Sequence, residues 1–378
     1  MEKLKFLLFF VPLALLIACT TTEPNENQGE IAAVSSEEPT ELPTSLPVPD
    51  TATPAPILSE PSTPTALPTI TASPTSPYTP TFTPTATNTA TPTATATPLA
   101  TDTPVPPPPV PLPELNLVPG SPQSYLGQFT MVSYYGSPQG PSLGILGAVP
   151  RYFTNGALRN LRAEYQPHVQ NGKFIVPTYH IITTVADNFP GPDEDYNHWL
   201  DWGIIQDWIA ASKDNGFAVI LDIQPAHADI EVEFDRLWGL MYDPHVHLAI
   251  DPEFVMLEGG IPGQQLGTMT AEQINTIQAK LNGVGFEIGM NKVLIIHQFE
   301  DSMIRNKEQI QNFPFVELVI DADGYGSPGT KIVDYNQYAN EPGFEYGGFK
   351  LFYDWDAPVM SPNDVMSLSP QPSVIIYQ

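Results

Sequence analysis

Residues 120 to 378 are predicted to fold as an α/β protein of the (β/α)8 TIM-barrel type, and three observations predict it. Eight apolar runs recur at even intervals along this region. Most are continuous and not alternating, as expected of parallel strands buried on both faces. Helical patterns fill the gaps between them, which is the alternation a closed β/α barrel requires. An open doubly wound sheet is the competing architecture. It lacks its usual ligand site here, because the glycine-rich turns, such as "GYGSPG" at 324–329, do not open a helix in the dinucleotide pattern.

In order, the predicted strands are "FTMVSYYG" (129–136), "FIVPTYHII" (174–182), "FAVILDIQ" (217–224) and "VHLAIDP" (246–252), then "KVLIIHQF" (292–299), "VELVIDAD" (316–323), "FKLFYDWD" (349–356) and "SVIIYQ" (373–378). Each is rich in β-branched and aromatic residues. Helical spacing is read over 155–169, 198–213, 231–241, 270–287 and 307–312, with shorter stretches at 334–340 and 362–368. "TAEQ" at 270–273 has the spacing of a capping box, and "DNG" at 214–216 supplies a helix stop. Trp199, Trp202 and Trp208 fall on helical spacing and are expected to pack against the barrel.

The chain ahead of residue 120 has a different character. Residues 1–18 carry Lys3 and Lys5 before an apolar run too short to span a membrane, the pattern of a secretory signal. Leu16-Ile17-Ala18-Cys19 follows, which looks like a bacterial lipobox and makes Cys19, the sole cysteine, the expected lipidation site. Two acyl chains there would hold the protein stably to a membrane on the extracellular side. Residues 19–119 are then predicted to be the lipid anchor and a disordered Thr/Pro-rich linker, because the tract lacks the apolar content to offset its ordering entropy. It is expected to behave as a semi-rigid spacer, with either a glycosylated-stalk or a plain linker role.

After Pro119 the chain carries 12 of its 14 basic residues against 31 of its 42 acidic ones, a formal charge near −19. A region this acidic disfavours nucleic acid, whose binding relies on Lys and Arg clusters. Neutral glycans and cations remain acceptable partners.

Acidic and polar groups collect at the predicted strand ends. Strand three ends in Asp222 and Gln224, strand four in Asp251 and Glu253, strand five in His297, Gln298 and Glu300, and strand six in Asp321 and Asp323. Strand seven ends in Tyr353, Asp354, Trp355 and Asp356, and strand eight in Tyr377 and Gln378. Barrel active sites are built at these ends, so the clustering points to one functional pole. A single Asp at a strand end often only caps a helix or holds a loop.

The blocks "YYGSP", "VPTYHIITTVAD", "VILDIQPAHAD", "VHLAIDPEF", "HQFEDSMI", "DADGYGSPGTK" and "FYDWDAP" resemble those of a family of secreted or lipid-anchored bacterial barrel domains without assigned activity. The likeness covers nearly all of 125–378 and implies fold and compartment, not mechanism. The family pattern has Glu at 180 and Gln at 300, where this chain has His180 and Glu300, so neither is given a catalytic role.

More distantly, the design is similar to barrel glycoside hydrolases, with an acid after strand four and a nucleophile or base after strand seven. That resemblance implies Glu253 as the acid and Asp354 or Asp356 as its partner, with Asp251 beside them. Glycosidic cleavage needs one protonated and one ionised carboxyl. Asp222, Gln224, Tyr135, His297, Gln298, Asp321, Asp323, Tyr353 and Trp355 are the expected substrate-binding groups. Tyr134, Tyr179 and Tyr377 are further candidates for stacking on sugar faces.

Two alternatives stand beside this reading: a non-catalytic glycan-binding module and a metal-dependent hydrolase. Asp222, His227, Asp251, His297 and Asp321 are acceptable ligand types, but no H-x-H or H-E-x-x-H pair marks a strand end, so no metal or cofactor is assigned. "HVH" at 245–247 begins strand four and belongs to the opposite, stability-determining pole.

Overall fold

The computed structural model describes residues 106–378. The expected signal segment 1–18, Cys19 and most of the Thr/Pro tract lie outside the described residues. Among those described, no helix is long and apolar enough to cross a membrane.

Eight parallel strands close into a barrel: β1 (Phe129–Gly136), β2 (Phe174–Ala186), β3 (Ala218–Ile223), β4 (Val246–Ile250), β5 (Lys292–Gln298), β6 (Val316–Ala322), β7 (Tyr346–Leu351) and β8 (Val374–Tyr377). Each pairs with the next, and β8 returns to β1 with Met131 opposite Val374 and Tyr134 opposite Tyr377. Closure leaves no free sheet edge. The crossovers carry α1 (Arg151–Tyr165), α2 (Trp202–Asn215), α3 (Ile230–Leu237), α4 (Ala271–Ile288), α5 (Pro328–Tyr338) and α6 (Pro362–Met366).

The expected caps form. The Thr270 hydroxyl accepts from Gln273 N while the Gln273 side chain accepts from Thr270 N, opening α4. Gly216 ends α2 in the left-handed conformation at φ 65°. Three segments depart from expectation. The helix expected at 307–312 is a single 3-10 turn at Lys307–Gln309, its neighbourhood held by Asn275 and Gln278 of α4. Residues 197–199 form a short antiparallel strand on the end of β2, and α2 starts only where Asp201 caps Gly203 N and Ile204 N. Strand β7 stops at Leu351, so 353–356 belong to the following loop.

The interior splits by strand parity. Val132, Tyr179, Leu221, Leu248, Leu294, Leu318, Phe349 and Ile375 pack outward under the helices. Met131, Val176, Ile220, Ala249, Ile295, Val319 and Ile376 fill the barrel itself. Trp208 joins the outer layer edge-on to Tyr179, whereas Trp202 is exposed.

Residues ahead of the expected domain start at 120 also pack on the barrel. Leu112 and Leu115 pack against the cluster that fills the barrel. A Cβ on Gly216 would sit 2.3 Å from Val110 O, and one on Gly289 2.2 Å from Val118 O. Residues 106–120 therefore form a strap laid over two helix C-caps at the barrel's N-terminal pole. Their prolines suit this role, since an extended strap needs no ladder donors.

Candidate functional site at the C-terminal mouth

The inward parity of each strand changes from apolar to ionisable as the strand reaches its C-terminal end. Ile220 gives way to Asp222 and Gln224, Ala249 to Asp251, Ile295 to His297, and Val319 to Asp321 and Asp323. Strands β1, β2 and β7 add Tyr135, His180 and Lys350.

His297 sits at the centre and is fully buried. Its Nδ1 lies 3.0 Å from Asp321 Oδ2 and 3.3 Å from Asp323 Oδ2. Its Nε2 lies 3.3 Å from Asp222 Oδ2 and 3.7 Å from Asp251 Oδ1, neither with hydrogen-bond geometry. His180 Nε2 is 3.0 Å from the same Asp222 oxygen. Asp251 accepts from Tyr135 OH at 3.0 Å and Gln224 Nε2 at 2.8 Å. Lys350 Nζ pairs with both oxygens of Asp323, at 2.9 and 3.0 Å, and stands 4.0 Å over the Tyr135 ring. Gly348 makes room for the network, since a Cβ there would meet Asp321 Oδ1 at 2.6 Å.

These contacts separate the carboxyls electrostatically. Burial would raise Asp222, but His180 and His297 outweigh it and hold the group well below its ordinary value. Burial opposes Asp323 likewise, and Lys350 with His297 keeps it low. Asp251 goes the other way: burial and then the Asp222 charge push it up to about 7. Burial, with Asp251 and Asp323 behind it, raises Glu253 well above the carboxylate range. Burial lowers His180. It opposes charge on His297 and Lys350 too, but the surrounding aspartates raise both.

Glu253 occupies a 3-10 turn just past β4 and is half-buried, with its Oε2 enclosed and unpartnered. At the rim beyond β6 and β7, Tyr325, Tyr353 and Trp355 are 47, 46 and 58 % exposed. Trp355 stacks on Phe352 at 5.5 Å and lies 5.6 Å from Tyr325, and Tyr353 stacks on Tyr377 at 5.2 Å.

Several expected site residues are placed elsewhere. Asp356 is buried in the loop after β7, where it accepts from Gly326 N and Phe352 N and pairs with Lys331 at 3.2 Å. Its neighbour Asp354 is exposed on the same loop. The residue that β7 sends into the mouth is Lys350, because the strand ends five residues earlier than expected. Gln298 points outward and accepts from Lys307 Nζ. His227 is tied to Gly260 O at 2.7 Å, away from the other ligand types. Tyr134, Tyr179 and Tyr377 are buried, with Tyr179 and Tyr377 bonded to Asn155 and Tyr165.

Conversely, sequence reasoning missed His180 and Lys350. Their signal was parity: each shares its strand's inward-facing set with apolar barrel-filling residues, and an ionisable group there demands a partner. Two trios hold donor atoms within 4.8 Å of one another: His180, Asp222 and His297, and Asp251, His297 and Asp323.

Fold and site together define a (β/α)8 barrel with a buried acid–histidine cluster at its C-terminal mouth, an arrangement compatible with hydrolase chemistry. No protein-family model matches the chain. No curated protein matches it either.

Proposed function

We propose that the protein is a cell-surface hydrolase of extracellular polysaccharide, carried on a lipid anchor at Cys19 and a Thr/Pro-rich spacer, with Glu253 as its proton donor. The observation that carries the reading is the setting of Glu253: a carboxyl at the mouth whose enclosed oxygen lacks a partner, raised above its ordinary range by burial and the charges of Asp251 and Asp323, while Asp323 itself is held low. That division is what glycosidic cleavage asks for. Asp323 is the ionised counterpart, held low by Lys350 and His297. Glu253 gives its proton to the leaving oxygen as the C1–O bond breaks. Asp323 takes a proton from the water that forms the new bond to C1. The exposed Tyr325, Tyr353 and Trp355 offer flat apolar faces for sugar rings.

A panel of labelled wall and capsular polysaccharides tests this. Glu253→Gln is expected to lower turnover by about 10²–10⁴-fold with binding retained. Activity should fall as pH rises through the raised Glu253 value, because only the protonated acid works. A wild-type protein that binds a glycan without cleaving it, matched in affinity by Glu253→Gln, would make the barrel a glycan-binding module. For the anchor, the wild type should partition into detergent and Cys19→Ser into water; aqueous partitioning of both forms refutes it.

A further inference from the structure

We infer that His180, Asp222 and His297 bind one divalent first-row transition ion, of the zinc class, beneath the mouth. The inference goes beyond the glycosidase reading, since it concerns metal retention by His180, Asp222 and His297 and needs no substrate.

Four observations carry it. The donors are mixed nitrogen and oxygen, which suits zinc-class ions; calcium and magnesium prefer all-oxygen shells. Their spacing fits: His180 Nε2 and His297 Nε2 lie 3.0 and 3.3 Å from Asp222 Oδ2, close to the edge of about 3.4 Å that tetrahedral ligands at zinc distances define. His297 is oriented for ligation, its Nδ1 held by Asp321 Oδ2 at 3.0 Å, which directs Nε2 to the centre of the cluster. A carboxylate behind the far nitrogen of a ligating histidine is the usual support of such sites. Finally, His297 Nε2 and Asp251 Oδ1, 3.7 Å apart, are fully buried there without hydrogen bonds, and the second oxygen of Asp222 is unpartnered as well. Buried polar atoms are rarely left so, and their gathering around His297 marks a place for a cation.

Charge agrees. Asp222, Asp251, Asp321 and Asp323 outnumber the His297 and Lys350 groups paired with them, and Lys350 is committed to Asp323. The same commitment argues against the second trio as the site. A bound ion would replace the His180–Asp222 hydrogen bond by ligation of both groups.

The test uses the full-length mature protein in detergent. It is stripped with chelator, incubated with Zn²⁺ or Co²⁺, desalted and assayed for metal, with a thermal melt alongside. The wild type should retain one equivalent, melt higher than the stripped protein, and show cobalt ligand-field bands. His180→Gln and Asp222→Asn should each lose the retained metal, while His227→Gln and His245→Gln keep it. Metal washed out of the wild type, or retained equally by His180→Gln and His227→Gln, would mean an adventitious ion only and would overturn the inference. Should the cluster variants fold poorly, the cobalt spectrum of the wild type decides: bands of a low-symmetry nitrogen–oxygen site support it, and the spectrum of hydrated cobalt sinks it. Neither result touches Glu253, whose failure is read from turnover alone.

Discussion

The two poles of the barrel use the same residue types to opposite ends. At the C-terminal mouth, His297 is surrounded by aspartates, and their charge raises it against the opposing effect of burial. At the N-terminal pole, His247 is equally buried, but it packs edge-on to Tyr125 at 4.2 Å and accepts from Val293 N at 3.2 Å. Burial, with Lys292 behind it, pushes His247 well below its ordinary value, and His245 down to about 4. Lys292 contrasts with Lys350 in the same way. Its Nζ donates to a backbone carbonyl, Asp243 O, and burial brings it down to about 7. One pole keeps charges by pairing them and leaves oxygens unpartnered; the other neutralises its groups and joins His247 Nδ1 and Lys292 to backbone, with His247 Nε2 unpartnered. The first arrangement costs stability and is retained where chemistry can use it, while the second belongs to packing.

The strongest break of this contrast is His297→Leu. Removing the central cation leaves buried carboxylates unpaired, at an expected cost of about 3–5 kcal/mol in denaturant titration. A loss below that of His247→Leu would show that the mouth is not organised around charge. Next in size is the strap. Starting the chain at Ser121 instead of Pro106 removes Leu112 and Leu115 from the N-terminal pole and should lower the melting midpoint by roughly 5–10 °C. An unchanged midpoint would return residues 106–120 to the spacer.

His247→Leu should cost less, about 1–2 kcal/mol, since it strands one backbone donor and removes no paired charge. The finest test is Lys292→Met. The folded-state value near 7 lies below the unfolded one, so the unfolded chain binds more protons between them, and wild-type stability should climb with pH across that window. The variant should melt higher than wild type at pH 7 and lose that advantage towards alkaline pH. Parallel melting curves across the range would mean Lys292 is charged in the fold.

Much of the barrel was legible in the chain. Seven of the eight predicted runs lie on the observed strands with ends moved by at most a few residues, and the Thr270 box and Gly216 stop form as read. The exception, β7, shows why ends are hard. "YGGFKLFYDWD" is apolar well past Leu351, and only pairing with β6 and β8 determines where the ladder stops. The 307–312 segment erred for a similar reason. Its periodicity suits a helix, but side chains of α4 take its backbone groups instead.

What the sequence determined by itself was the fold class, the acidic balance and the gathering of carboxylates at one pole, because continuous apolar runs and strand-end polarity are local properties of the chain. It also places the carboxyl of Glu253 just after β4. Which carboxyls hold protons, which are spent on loops and which histidines join them was decided only by tertiary structure. Asp222 and Asp356 look alike in the sequence. One shares its oxygen with two histidines from other strands, and the other closes its own loop on Gly326 and Phe352. Protonation and ligation depend on distances of a few ångströms between residues far apart in the chain, and barrel closure sets those distances.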